Sequence, residues 1–389
     1  WFRVGSVDET DKENGLSHLI EHMLFKGTAN RSAKEIAETM DAVGGQLNAF
    51  TAKECTCYYC KIIDEHLELA INLLADMILN SKFDEQELER EKGVILEEIY
   101  MYEDSPEDLA HDLLSSTFFG SHALGQSIMG TRDNLERFTR DEVLSFFKRF
   151  YSPDNMVISV AGNFDEKELI SLIDKYFGNW QKSYTNNNRY STYKSNKNFA
   201  FKKKDIEQVH LCIGGPGVVL GDDKTYAISV FNNLFGGGMS SRLFQKIREE
   251  RGLAYSVFSY PSSYLNGGLF AIYAGMKSEQ TMTVASLIRE EIEDIKNKGI
   301  SESEFTKARE QLKGNYILGL ESTNSRMTAI GKSQLLLNRI ITPTEVLKKI
   351  DSVSLDDVYN IMDEILIPEK FTIVTVARED WTSELMKIF

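Results

Sequence analysis

The feature that most constrains the fold of this chain is an internal duplication. Residues 139–160 match residues 354–375 at an offset of 215 residues without a gap, and residues 83–88 match 300–305 at an offset of 217. Each copy of the longer pair has the pattern of a capped helix, a proline turn and an apolar strand. Each copy of the shorter pair has a cap residue in its second position, Asp84 or Ser301, and an acid three positions after it, the capping-box pattern. The sequence therefore predicts two domains of the same topology.

Composition and hydrophobic periodicity predict the fold class of the two halves and the boundary between them. Both halves mix long helical periods with short strands, which predicts an α+β fold for each. Residues 183–197 are rich in Asn, Ser and Lys and lack apolar periodicity, which is typical of a connection. We therefore place the first domain at 1–183, a linker at 184–197 and the second domain at 198–389.

Charge and hydropathy exclude two classes of function. The chain has 59 acidic and 44 basic residues, a formal charge of −15, whereas a nucleic-acid binder needs clustered Lys and Arg. No apolar run approaches the roughly 18 to 20 residues that span a bilayer, so no membrane partner is expected. The chain opens at Trp1 without a methionine and has the pattern of the end of a buried strand, which indicates that the true N-terminus is missing and leaves an upstream targeting segment open as an alternative.

Cysteine usage indicates the compartment. The chain has four cysteines, and three of them crowd into a strand-like, aromatic-rich run as Cys55, Cys57 and Cys60. A chain of 389 residues with so few cysteines is not a disulfide-stapled secreted scaffold, so we expect a reducing compartment, the cytoplasm. We expect the cluster to pack in the interior, with a second metal site or a redox site as the alternative.

The motif with the most chemical content is His18-Leu-Ile-Glu21-His22, within a predicted helix over residues 15–25. His18 and His22 are four residues apart, so both imidazoles project from one face of the helix. Two ring nitrogens at this spacing can reach one zinc ion at about 2.0 to 2.1 Å each. Glu21 borders the same face, where its carboxylate can accept a proton from water instead of binding the metal. The alternative is a pair of ordinary surface or core histidines.

A third ligand must come from elsewhere, because catalytic zinc needs three protein ligands and one open position. The acidic helix predicted over residues 83–103 is the candidate source. Its predicted apolar stripe is Leu88, Val94, Ile95 and Ile99. Glu91 and Glu98 are two turns apart on one face, so one can bind the metal while the other orients a neighbouring group. Glutamate-rich faces are usually solvated, and spacing alone does not choose Glu98 over Glu97.

These segments resemble the pitrilysin/insulinase family of zinc metallopeptidases, whose inverted motif is H-x-x-E-H. The words that carry the resemblance are His22-Met-Leu-Phe-Lys-Gly27-Thr28, Gly44-Gly45-x-Leu-Asn48-Ala49-Phe50-Thr51, Glu91 to Glu98, Phe235-Gly-Gly-Gly238-Met-Ser-Ser-Arg242 and Arg248-Glu-Glu-Arg-Gly252-Leu-Ala-Tyr255. The chain is most similar to the small-subunit branch, with bacterial processing-protease-like peptidases and the catalytic subunit of mitochondrial processing peptidase. The resemblance covers nearly the whole chain apart from the family's first strand.

The resemblance implies a role for each residue of the motif. His18, His22 and Glu98 would bind one zinc ion per chain, which chooses Glu98 over Glu97. Glu21 would be the general base that takes a proton from water and later protonates the leaving amine. Glu91 would orient the site without binding the metal.

The resemblance also implies substrate-binding residues. A sheet edge beside the metal would take an extended peptide as an added strand; its residues are Asn48, Ala49, Phe50 and Thr51. An ordinary half-buried strand is the alternative for this segment. In the second half, Arg248 and Tyr255 would polarise the scissile carbonyl.

The resemblance further implies two homologous domains, each a mixed, mostly antiparallel sheet flanked by helices, that enclose a cavity. At the offset of 217, Glu91 falls on Ala308 and Glu98 on Asn315, so only the first copy carries the metal motif. The expected function is a zinc-dependent endopeptidase that cleaves extended or unfolded peptides of presequence or fragment length in that chamber. The alternative is a non-catalytic partner or scaffold subunit. Expected partners are peptides and a second copy or a similar subunit.

Overall fold

The computed structural model describes residues 1–182, 193 and 197–389. Its helices are α1 (Leu16–Met23), α2 (Ala33–Asp41), α3 (Leu67–Asn80), α4 (Glu85–Asp104), α5 (Pro106–Phe119), α6 (Arg132–Arg137), α7 (Arg140–Phe150), α8 (Glu166–Phe177), α9 (Lys224–Phe235), α10 (Thr281–Lys298), α11 (Glu302–Gly319), α12 (Thr323–Leu337), α13 (Pro343–Ser352), α14 (Leu355–Ile365) and α15 (Thr382–Leu385). Its strands are β1 (Gln46–Thr51), β2 (Thr56–Lys61), β3 (Asn198–Lys203), β4 (Gln208–Pro216), β5 (Ala254–Tyr264), β6 (Gly267–Lys277) and β7 (Thr372–Ala377). Within these ranges no helix has the length and apolar character needed to cross a bilayer.

The strands form two sheets, which confirms the predicted α+β class. In the larger sheet the order is β3-β7-β4-β6-β5; β3 and β7 are parallel and the other neighbours are antiparallel. The smaller sheet pairs β1 with β2 antiparallel. Phe2 extends this sheet through single antiparallel bridges to Thr56 and Met156. Both sheets are open and mostly antiparallel.

The repeated segments form matching elements at the predicted offsets. Helix α7 and helix α14 begin and end 215 residues apart, and each starts with a reciprocal capping box, Thr139 with Glu142 and Ser354 with Asp357. Helix α4 and helix α11 begin 217 residues apart. The strand predicted at 156–160 is the exception, because Met156 pairs only with Phe2 in the described residues, whereas β7 is paired on both sides.

The chain divides into two compact units that differ from the predicted domains 1–183 and 198–389. The first unit comprises Trp1–Met101, Gln126–Arg189 and Leu320–Ile340; the second comprises Tyr102–Gly125, Tyr190–Gly319 and Ile341–Phe389. Helix α5, from the first half of the sequence, therefore belongs to the second unit, and helix α12, from the second half, belongs to the first unit. Helical periodicity shows which face of a helix is apolar but not which sheet it covers. The predicted linker, 184–197, lies outside the described residues except for 193 and 197.

Glycine residues allow α5 and α12 to pack closely in the units to which they belong. In the second unit, α5 lies against β3, β4 and β7, and its fully buried Leu114 covers Gly214 of β4. A Cβ at Gly214 would lie 2.8 Å from Leu114 Cδ1, closer than packed carbons allow. In the first unit, Gly331 of α12 similarly leaves room for the indole of Trp1. Met327 of the same helix accepts a hydrogen bond from Ser159 through its backbone carbonyl, at 2.8 Å.

The cysteine cluster is consistent with the predicted packing role. Cys55 and Cys57 are buried, Cys60 is half-buried, and all three are free thiols. Burial raises the pKa of Cys55 to about 11 and that of Cys57 to about 12, which leaves both protonated near neutral pH. Among the described residues, no cysteine belongs to a group of three side chains with ligand atoms close enough for a metal.

Candidate metal centre

Helix α1 carries the histidine motif, and a buried carboxylate holds its first turn. Gly15 precedes the helix with φ of 108°, a conformation that favours glycine. Glu9, 3 % exposed, accepts hydrogen bonds from the backbone amides of Gly15 at 2.8 Å and Ser17 at 2.7 Å. These amides would otherwise lack partners at the helix start, so Glu9 acts as a remote cap. Burial raises the pKa of Glu9 to about 7 against the effect of these hydrogen bonds.

The two histidines lie side by side at the surface of a buried helix. Leu19, Ile20 and Met23 are fully buried and fix α1 in the core of the first unit. His18 and His22 project from the remaining face, with their ring centroids 4.7 Å apart. Burial, and to a smaller extent His22, lowers the pKa of His18 to about 4. His18 is therefore neutral near pH 7, the form that binds metals.

Glu98 of α4 completes a set of three converging ligand atoms. Its Oε2 lies 3.7 Å from Nε2 of His18 and 3.5 Å from Nε2 of His22. A tetrahedral ion with bonds of about 2.0 to 2.1 Å holds its ligand atoms about 3.3 to 3.4 Å apart, so both of these separations are close to those around a zinc ion. In the described part of the chain, this is the one group of three His, Cys, Asp or Glu side chains whose ligand atoms all lie within 4.8 Å of one another. The structure therefore brings the predicted ligands together.

Glu91 contacts His22 through the ring nitrogen that does not face Glu98. Its Oε2 lies 3.0 Å from Nδ1 of His22, and its Oε1 accepts a hydrogen bond from Nζ of Lys26 at 2.7 Å. Burial alone would raise the pKa of Glu91, but the hydrogen bonds from His22 and Lys26 lower it. An ionised Glu91 accepts a hydrogen bond from Nδ1–H of His22, and this tautomer leaves the lone pair of Nε2 free to bind a metal. Nδ1 of His18, by contrast, is buried without a hydrogen-bond partner among the described residues.

The predicted general base, Glu21, is hydrogen-bonded to a residue of strand β1. Its Oε2 accepts a hydrogen bond of 2.5 Å from the hydroxyl of Thr51. Burial raises the pKa of Glu21, and the hydrogen bond from Thr51 opposes that rise. Thr51 is thus directed at a member of the motif, whereas it was predicted as part of a substrate-binding edge.

The other predicted substrate-binding residues lie in two places. Strand β1 pairs with β2 along one side, and its residues alternate between exposed and half-buried positions, with Asn48 and Phe50 exposed. In the second unit, the guanidinium of Arg248 lies over the ring of Tyr255, 5.1 Å from its centroid, and Tyr255 is 79 % exposed. The roles predicted for these residues remain predictions.

Several positioning residues were missed in the sequence analysis. Glu9 accepts hydrogen bonds at the start of α1, Lys26 pairs with Glu91, and Thr51, which was predicted only as a substrate-binding residue, bonds Glu21. Lys26 lies one turn after His22, but the spacing of the residues predicts none of these contacts. The predicted stripe of α4 was wrong at Val94, which is 46 % exposed. Leu88 and Ile95, which are seven residues apart, are buried. Glu91 lies between them on the same buried face, where it pairs with His22 and Lys26.

The fold and the site define a class of proteins in which an H-x-x-E-H helix and a glutamate from a second helix form a zinc site. Two family descriptions match the chain: "Insulinase (Peptidase family M16)" over residues 1–132 and "Peptidase M16 inactive domain" over residues 137–312. The chain belongs to this insulinase family of peptidases. The second description agrees with the lack of an H-x-x-E-H motif in the second half.

Individual relatives lead to the same family. The chain is 44 % identical to the "Uncharacterized zinc protease YmxG" of Bacillus subtilis, over 97 % of this chain and 91 % of the relative. It is 40 % identical to a protein of Streptomyces coelicolor that is also named a zinc protease, over 94 % of this chain and 81 % of the relative. A crystal structure of a protease from Helicobacter pylori has the same fold, with a TM-score of 0.90 at 22 % identity, covering 97 % of this chain and 92 % of that one.

Proposed function

We propose that this chain is a zinc-dependent endopeptidase that cleaves extended peptides. The observation that carries the proposal is the convergence of His18, His22 and Glu98, each of which offers one ligand atom within 4.8 Å of the other two, with Glu21 on the same helix as the histidines. Three ligands leave a fourth position of a tetrahedral ion open, which distinguishes catalytic from structural zinc sites. The names of the relatives as zinc proteases support the same conclusion.

The chemistry follows from the residues around this set. Zinc, when bound, would polarise the scissile carbonyl and make water acidic enough to lose a proton near neutral pH. Glu21 takes that proton and returns it to the leaving amine, which a half-buried carboxylate on the face of the histidines can do. Glu91 keeps His22 in the tautomer whose Nε2 is free.

Substrate binding is assigned to the strand edge and to the second unit. Peptide backbone would add to β1 at Asn48, Ala49 and Phe50 through main-chain hydrogen bonds that are independent of sequence. Arg248 and Tyr255 would stabilise the negative charge that develops on the carbonyl oxygen. The proposed partners are peptides and a second copy or a similar subunit, with no nucleic acid or membrane.

The test is cleavage of a quenched basic peptide of presequence length, with zinc content measured on the same samples. The variants are Glu21→Gln, which removes the base but keeps its shape, and the matched control Glu38→Gln on the exposed face of α2. Mass spectrometry of the products shows whether the cuts are internal. We expect about one zinc per chain in all three proteins, internal cuts by the wild type and the control, and a rate at least about 100-fold lower for Glu21→Gln.

The other outcomes separate the alternatives. A wild type that holds zinc but cuts nothing, alone or with a related subunit added, favours the non-catalytic partner subunit. Absence of zinc from the wild type contradicts the metal centre itself. Cleavage by Glu21→Gln at the wild-type rate contradicts the assignment of the base.

A further inference from the structure

We propose that Thr51 is a positioning residue that orients the carboxylate of Glu21, an inference that rests on the proposed function. Its hydroxyl donates a hydrogen bond to Oε2 of Glu21 at 2.5 Å. The two residues are 30 positions apart in sequence and belong to different elements, Thr51 to β1 and Glu21 to α1. A hydrogen bond to an ionised carboxylate is among the stronger ones in proteins and is directional, so it restrains the side-chain rotamer of the base.

The backbone around Thr51 is itself held firmly. Thr51 is the last residue of β1 and pairs with Thr56 of β2. A tight turn follows, closed by a hydrogen bond of 2.8 Å from the amide of Ala52 to the carbonyl of Cys55. The hydroxyl of the fully buried Thr56 donates to the carbonyl of Val4 at 2.9 Å. The donor that reaches Glu21 therefore stands on a rigid element, as a positioning group requires.

Strand β1 would then have two functions, to bind the peptide and to position Glu21. Asn48 and Phe50 are exposed, while Thr51 is half-buried and directed at Glu21. The strand proposed to take the peptide is thus bonded to the group proposed to move the proton. The hydrogen bond from Thr51 to Glu21 would therefore link the strand that takes the substrate to the base.

The experiment compares kcat and KM for peptide cleavage in the wild type and in two variants of Thr51. Thr51→Val removes the hydroxyl but keeps the volume and the branched Cβ, and Thr51→Ser keeps the hydroxyl. Thr39→Val on α2, whose hydroxyl only bonds the carbonyl of Glu35 in its own helix, is the matched control. Zinc content and the unfolding midpoint are measured for each protein.

We expect Thr51→Val to lower kcat about 10-fold with KM unchanged, and Thr51→Ser to restore kcat close to the wild-type value. A rise in KM with kcat unchanged would assign Thr51 to substrate binding and overturn the inference. Equal losses in Thr51→Val and Thr51→Ser, or no loss in either, would overturn it as well. A wild type that cuts nothing contradicts the proposed function, and this inference with it, whereas an active wild type with an equally active Thr51→Val contradicts this inference alone.

Discussion

Glutamine in place of Glu91 tests how far the proposed zinc site depends on a residue that is proposed to orient a ligand without binding the metal. The two oxygens of Glu91 serve different donors: Oε2 faces Nδ1 of His22 at 3.0 Å, and Oε1 faces Nζ of Lys26 at 2.7 Å. Its side chain is 5 % exposed, so water does not replace a lost partner easily. Glutamine has nearly the same shape, but only one of its two terminal atoms accepts hydrogen bonds.

Either orientation of the glutamine amide harms the site. With its oxygen toward His22, its NH2 group meets the ammonium of Lys26, and two donors face each other. With its oxygen toward Lys26, its NH2 group donates to Nδ1 of His22, and the ring proton moves to Nε2, the atom that must bind zinc. Loss of such a partner weakens metal binding about 10- to 100-fold, which corresponds to about 1.4 to 2.7 kcal/mol.

The assay is competition for zinc with a fluorescent chelator at fixed pH, which gives a dissociation constant without any cleavage reaction. Glu85→Gln, an exposed glutamate in the first turn of the same helix, is the matched control and should bind zinc as the wild type does. A dissociation constant for Glu91→Gln within about twofold of the wild type would refute the argument that Glu91 sets the tautomer of His22.

Three further predictions concern stability and thiol access. Leu114→Ala should lower the free energy of unfolding by about 2 to 5 kcal/mol in urea titrations, because it opens a cavity over Gly214, while Leu318→Ala, at a 72 % exposed site, should change it by less than about 0.5 kcal/mol. Burial would raise the pKa of Asp76, but hydrogen bonds from Asn30, Thr28, Asn80 and Arg31 hold it below its ordinary value of 3.8, so its stabilisation is present at pH 7 and is lost as pH falls below about 4. Asp76→Asn should therefore lower the free energy of unfolding by about 1 to 3 kcal/mol at pH 7 and by less at pH 3; an equal loss at both would contradict this. Cys55 and Cys57 should react with a thiol reagent at pH 8 only after unfolding, measured by mass spectrometry; rapid labelling of the native protein would contradict their burial.

The proximity of the two candidate histidine ligands could be predicted because the signal is local and geometric. The spacing of His18 and His22 places two imidazoles on one helix face whatever the rest of the fold does. The choice of Glu98 over Glu97 needed the resemblance to a family, since both glutamates follow from the same helical pattern. The structure then shows that the side chain of Glu98 reaches both rings.

The duplication could also be predicted from the sequence, because helix caps and prolines act on their immediate neighbours. Thr139 and Ser354 each start a helix through a hydrogen bond to the third residue of that helix, and such contacts can be read along the chain. The strand predicted at 156–160 was different, since a strand is defined by partners that lie far away in sequence.

Contacts between distant segments were decided by the tertiary structure. The exchange of α5 and α12 between the units depends on which sheet offers a complementary surface, such as Gly214 beneath Leu114, and no periodicity encodes that choice. The bond from Thr51 to Glu21 likewise requires β1 to lie against α1. The sequence by itself determines the helices and the spacing of the metal motif, because both depend on interactions between residues that are close together along the chain. The partners that orient the motif come from elements 30 to 69 residues away, and only packing brings them within hydrogen-bond distance.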